Sequence, residues 1–155
     1  MNELINQRVI LLVEDNPDDE VLTLRALRKS NIRNPIFVVR DGAEAVDYIF
    51  AQGKHADRDP HIQLQVVLLD IHLPKMDGLA VLRRIREDER TRLLPVVMLT
   101  SSNEERDLDG SYELGVNSYV RKPVGVTEFF EAVRQLGMYW LVLNEPSPRA
   151  MRGTG

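Results

Sequence analysis

Val66-Val67-Leu68-Leu69-Asp70-Ile71-His72-Leu73-Pro74 runs four apolar residues into a carboxylate, and Pro74-Lys75-Met76-Asp77-Gly78 follows as a turn sequence. Two of the four apolar residues are β-branched, and the run is too short for a helix core. It reads as a strand buried on both faces of a parallel sheet. Asp70 then stands at the strand's carboxyl end, the edge where open α/β sheets bind ligands. Arg8-Val9-Ile10-Leu11-Leu12-Val13 has the same form, with Glu14-Asp15 at its end. So do Pro35-Ile36-Phe37-Val38-Val39, Pro95-Val96-Val97-Met98-Leu99 and the shorter Asn117 to Val120.

Helical signals separate these runs. Asn16 can cap a helix with Pro17 at its first position and Asp18, Asp19 and Glu20 in its first turn. Val21, Leu24 and Leu27 mark its expected core stripe. A second helix is expected from about Ala43 to Ala51, with Ala45, Val46, Ile49 and Phe50 inward. Gly53 to His61 is polar and breaker-rich, and reads as a long surface loop in which His55 and His61 are solvated. After Gly78, Leu79, Val81, Leu82 and Ile85 form an amphipathic helix. It ends in the run Arg86 to Arg92, whose alternating signs predict a solvated face. Ser102 and Glu105 have capping-box spacing for a fourth helix, and Gly115 can supply its left-handed terminus. A last helix is expected from about Thr127 to Asn144, with 145–155 a disordered tail. Strand and helix alternate five times, which predicts an α/β fold with a parallel sheet and helices on both faces.

Bulk properties exclude several functions. The chain has 155 residues, 43% hydrophobic and 28% charged, enough for one domain with a full core. A net charge of -4 argues against an electrostatic nucleic-acid binder. With no cysteine there is no thiolate nucleophile, disulfide framework or Cys-ligated metal. No apolar run approaches the roughly 20 residues of a membrane span. These features predict a soluble, cytoplasmic protein.

Four of the predicted strands deliver polar residues to one edge: Glu14 and Asp15, then Asp70, Thr100 and Lys122. Each alone has a bland reading as a helix cap, a turn former or a surface lysine. Together, three carboxylates at close range repel unless a cation or proton intervenes. A hard divalent cation such as Mg²⁺ suits such oxygen ligands. With Lys122 it would neutralise a transferring phosphoryl group, Thr100 could hydrogen-bond one phosphoryl oxygen, and a carboxylate is a competent nucleophile for an acyl phosphate.

Val13-Glu14-Asp15-Asn16, Leu69 to Pro74 with Asp77-Gly78, Leu99-Thr100-Ser101-Ser102 and Tyr119-Val120-Arg121-Lys122-Pro123 together resemble the receiver domain of two-component response regulators. The resemblance covers about residues 8 to 140 and implies a flavodoxin-like (βα)5 fold with strand order 2-1-3-4-5. It implies phosphorylation of Asp70 and a metal site for Mg²⁺, with Mn²⁺ an alternative. The ligands would be Asp15 directly, Glu14 assisting, Asp70, and the carbonyl of His72. It further implies that Thr100 and Lys122 contact the phosphoryl group, that the bond before Pro123 is cis, and that Thr100 and Tyr119 move together as a switch. That switch would act on the surface of the fourth helix, fifth strand and fifth helix. Glu14 departs from the commoner Asp, and His72 from the commoner Asn or Met. The His72 side chain would border the phosphoryl pocket or point into solvent.

No second domain is expected, so residues 1–144 are read as a single receiver domain with an extended last helix. Phe129, Val133, Leu136, Trp140 and Leu143 make a heptad-like stripe, and Tyr139 adds to an apolar surface larger than one solvated helix needs. A wider core stripe and a homodimer or kinase-docking face both fit. The ending Gln135 to Pro146, with the long loop at Gly53, further resembles stand-alone regulators paired with bacterial phytochrome histidine kinases, which implies a homodimer and a light-sensing sensor histidine kinase as partner. Two other functions are open. One is a haloacid-dehalogenase-type phosphohydrolase, which needs an acid where His72 stands. The other is a receiver-like interaction module that never carries phosphate.

Overall fold

Alternation along the first strand sets the layers. The computed structural model of the chain describes residues 8–30, 32–59, 63–100, 110 and 112–135. Strand β1 (Val9–Val13) is buried at every position. Its odd residues Val9, Leu11 and Val13 join one core layer, and Ile10 and Leu12 join the other. A strand with apolar side chains in both directions needs cover on both faces. The sheet has five strands in the order β2-β1-β3-β4-β5, from β2 (Ile36–Val39), β3 (Leu64–Asp70), β4 (Val96–Thr100) and β5 (Ser118–Arg121), and every pairing is parallel. This is the flavodoxin-like order, with β1 and β3 flanking the point where it reverses.

Helices α1 (Pro17–Lys29), α2 (Gly42–Phe50) and α3 (Gly78–Glu87), with a terminal helix over Val126–Gln135, cover the sheet. Ala45, Val46, Ile49 and Phe50 of α2 and Val81, Leu82 and Ile85 of α3 fill one layer. Ala26 and Leu27 of α1 and Phe129 of the terminal helix fill the other. Asn16 caps α1 by accepting the N–H groups of Asp18 and Asp19 at 2.9 and 3.1 Å. Asp41 and Asp77 do the same for α2 and α3. Residues 110, 112 and 113 are helical, and Gly115 follows with φ +85, a left-handed conformation that glycine adopts without steric cost. No helix among the described residues is long and apolar enough to cross a membrane.

Four expectations need correction. Val21 does not face the core but is 53% exposed, because α1 turns Thr23, Ala26 and Leu27 inward and leaves Leu24 at the margin. Arg86 is not part of a solvated face. Its guanidinium donates to the carbonyls of Gly115, Arg92 and Leu94 and to Asn117 Oδ1, at 2.7 to 3.1 Å, and ties α3 to the segments on either side of β4. His55 is not a solvated loop histidine either. A 3-10 turn over Gly53–His55 brings its ring edge-on to Phe37 and Tyr48, with Nε2 2.9 Å from Glu44 Oε2. Phe129 is only 1% exposed, so it packs on the sheet and is not available to a partner face. Leu136, Tyr139, Trp140 and Leu143, the side chain of Val133, His61, the Ser102–Glu105 capping box and the tail lie outside the described residues.

Candidate functional site

Strand register assembles the site. Val13 pairs with Leu69, so Glu14 and Asp70 end adjacent strands side by side. Thr100 pairs with Arg121, and the Lys122 amide donates to the Thr100 carbonyl at 2.7 Å, which sets Lys122 one step beyond the sheet edge. Side chains alternate along a strand. Ile10 and Leu12 share a layer with Val66, Leu68 and Val120. Glu14, Asp70 and Lys122 therefore continue the same face, the one covered by α1. Thr100, in phase with Val96 and Met98, ends on the other face. The Lys122–Pro123 bond is cis.

Lys122 is the hub. Its Nζ donates to Glu14 Oε1 at 3.0 Å, Asp70 Oδ2 at 2.9 Å and Asp19 Oδ2 at 2.9 Å, with the lysine side chain 6% exposed. Burial would lower its pKa, but the three carboxylate bonds overcome this and raise it, so the ammonium keeps its charge. Glu14 is fully buried. Burial, then the neighbouring Asp70 carboxylate, lifts its pKa from the ordinary 4.5 to about 7, against the pull of Lys122. Glu14 Oε2 accepts the Asn16 amide at 3.2 Å, and Asp70 Oδ1 accepts the His72 amide at 3.2 Å.

Asp15, exposed at the rim, completes a group with Glu14 and Asp70 in which one carboxylate oxygen from each lies within 4.8 Å of the others. Among the described residues, Lys122 is the single ammonium bonded within this group, against Glu14, Asp15, Asp19 and Asp70. The pKa of Glu14 is raised first by its burial, and the Asp70 carboxylate beside it adds to the rise. The donor set therefore fits a divalent cation: hard oxygen ligands, excess negative charge and one ligand at the solvent edge.

Thr100 is 1% exposed at the end of β4, and His72 is exposed beside Asp70. Tyr119, 38% exposed, lies on β5, its ring edge-on to Tyr112 at 6.0 Å between centroids. Asp19 was not foreseen in the sequence as a site residue. Its first-turn acidity explains it equally well as a charge on the helix dipole. The available signal was its place three residues after the cap, since such a side chain turns back toward the cap and the strand end.

Comparisons with known proteins find relatives over nearly the whole chain. The response regulator receiver domain model matches residues 10–134. The response regulator Rcp1 of Synechocystis sp. is 38% identical over 134 residues, 86% of this chain and 89% of that protein. The solved bacteriophytochrome response regulator RtBRR is 50% identical with a TM-score of 0.80, over 94% of this chain and 87% of that one. The Mn²⁺-bound form of Rcp1 is 36% identical with a TM-score of 0.71, over 86% of this chain and 94% of that one.

Proposed function

We propose a function from one premise: this chain belongs to the response regulator receiver domain family. It is a receiver of two-component signalling, homologous to phytochrome-associated regulators, and not a member of a classical enzyme family. Family membership does not favour the phosphohydrolase alternative. In the proposed reaction Asp70 accepts the phosphoryl group of a phosphohistidine on a sensor histidine kinase. A carboxylate oxygen of Asp70 forms the O–P bond as the N–P bond breaks, and the imidazole nitrogen keeps the electron pair. The observation that carries this reading is the Lys122 ammonium 2.9 Å from Asp70 Oδ2 inside an acidic group that fits a divalent cation.

Each residue then has a role. Lys122 neutralises phosphoryl charge and Thr100 hydrogen-bonds a phosphoryl oxygen. Asp15, Asp70 and the His72 carbonyl, with Glu14 assisting, would hold Mg²⁺, with Mn²⁺ as a substitute. The bound cation would supply charge neutralisation. Thr100 and Tyr119 would couple the phosphoryl group to the surface around β5. The kinase partner is of the phytochrome type, a reading supported by the 50% identity to a bacteriophytochrome response regulator. The protein acts in the cytoplasm, apart from nucleic acid and membrane. Residues 1–144 form a single receiver unit, and the part of the terminal stripe beyond Phe129 (Val133, Leu136, Tyr139, Trp140 and Leu143) mediates a homodimer. Sedimentation should give a mass that rises with concentration; a strict monomer at high concentration, with or without phosphoryl donor, would remove the dimer.

One experiment separates the functional readings. Incubated with Mg²⁺ and a small acyl-phosphate or phosphoramidate donor, the protein should gain the mass of one phosphoryl group, and Asp70→Asn should gain none. Repeated turnover of phosphate esters would mean a hydrolase. No labelling under any condition would mean an interaction module.

A further inference from the structure

An ammonium group has three N–H donors and no acceptor. In this site all three bonds of Lys122 go to carboxylates, and only Glu14 and Asp70 belong to the strand ends. The third partner, Asp19, comes from the first turn of α1, where Asn16 fixes its backbone through the Asp19 amide at 3.1 Å. Asp19 is 28% exposed at its side chain, whereas Glu14 is fully enclosed. Lys122 is thus held by one enclosed carboxylate and one more exposed carboxylate, and its remaining bond goes to Asp70.

Phosphorylation changes the third of these contacts. Asp70 loses its own charge when the O–P bond forms, and the new charge sits on phosphoryl oxygens beyond it. The N–H that met Asp70 can turn to a phosphoryl oxygen only if the ammonium stays where it is. Asp19 keeps it there. At the same time Asp19 is an anion bonded to the same ammonium, so its charge opposes the incoming phosphoryl group. A hydrogen bond and a charge from one side chain act on different quantities: the first on the position of Lys122, the second on how tightly a dianion is held.

We infer that Asp19 is a positioning residue for phosphoryl transfer, which with Glu14 fixes the Lys122 ammonium and whose charge limits the affinity of the site for a dianionic phosphoryl donor. The inference rests on the receiver reading of Asp70 and Lys122. It is separate from the metal ligands, because the acidic group able to hold an ion comprises Glu14, Asp15 and Asp70 among the described residues.

Asp19→Asn keeps an oxygen acceptor for Lys122 and removes the charge, and Asp19→Ala removes both. With a small acyl-phosphate donor and saturating Mg²⁺, Asp19→Asn should lower the half-saturating donor concentration by about 3- to 10-fold and leave the maximal labelling rate within about twofold. That gain should shrink at high salt, as expected of a partly exposed charge. Asp19→Ala should instead lower the maximal rate by about tenfold. Asp18→Asn, next in sequence, exposed and without a bond to Lys122, should leave both quantities unchanged. Calorimetric Mg²⁺ affinity of Asp19→Asn should fall by no more than about threefold.

Equal behaviour of Asp19→Asn, Asp19→Ala and the parent would overturn the inference. So would an effect of Asp18→Asn as large as that of Asp19→Asn, which would reduce it to general charge. A hundredfold loss of Mg²⁺ affinity would make Asp19 a metal ligand and overturn it as well. If the parent itself takes no phosphoryl group, the receiver reading fails and this inference falls with it. A labelled parent with unaffected variants removes this inference alone.

Discussion

Glu14→Gln, unfolded in urea without divalent cations, should be more stable than the parent at pH 8 and nearly equal to it at pH 5. The direction follows from burial. Glu14 has no exposure and faces Asp70, so its pKa stands at about 7 in the folded protein against an ordinary 4.5. Between those values the folded state holds a proton that the unfolded state has lost. Its contribution to stability is therefore full below 4.5 and is lost as pH rises through 7. A shift of this size corresponds to on the order of 3 kcal/mol once both states are ionised. Glutamine keeps an oxygen for Lys122 without the charge, and Lys122 retains Asp70 and Asp19. The expected gain is about 1–3 kcal/mol at pH 8, since the lost charged bond to Lys122 offsets part of the relief. Mg²⁺ should then narrow the difference, because an ion bound to the folded parent stabilises it by mass action. A difference independent of pH, or a loss of stability at pH 8, would contradict this account of the acidic group.

The same contrast explains what could be read in the sequence. The apolar runs ending in Glu14-Asp15, Asp70 and Thr100 were legible because a strand buried on both faces leaves a continuous signal, and its last residue must lie at the sheet edge. Lys122 was legible through its place one step beyond β5. Arg86 and His55 were not. Both are polar residues among other polar residues, and their partners are backbone carbonyls and rings distant in sequence, such as Gly115 O and Phe37. Side chains that act through long-range backbone contacts leave no periodicity. Val21 was misread for a different reason: three-residue spacing fits two helix faces, and packing of Ala26 and Leu27 chose between them. Asp19 lay between these cases. Its helix position was correct, but only the α1-facing phase of Lys122 gave it a second role.

Gly78→Ala should cost about 3–5 kcal/mol, a large share of the stability of a domain this size, and should slow labelling of Asp70 as well. Gly78 opens α3, and its amide donates to the Ile71 carbonyl at 2.7 Å, so the helix is clasped against the end of the phosphoacceptor strand. A Cβ there would meet the Asp70 carbonyl oxygen at 2.2 Å and the Ile71 Cα at 2.8 Å. Both are backbone atoms on a buried strand end, so no side-chain rotation relieves the contact. Either α3 withdraws, which opens the layer held by Val81, Leu82 and Ile85, or the Asp70 peptide tilts. The first response costs stability and the second moves the carboxylate relative to Lys122. Gly110→Ala is the matched control, because its added methyl would lie 3.4 Å from the tip of the Leu79 side chain, an ordinary contact. It should change the urea midpoint little, with an effect within about 1 kcal/mol. Urea denaturation and donor labelling of both variants test the clasp. If Gly78→Ala unfolds at the parent's midpoint and labels at the parent's rate, the close approach of α3 to Asp70 is not what holds the acceptor in place.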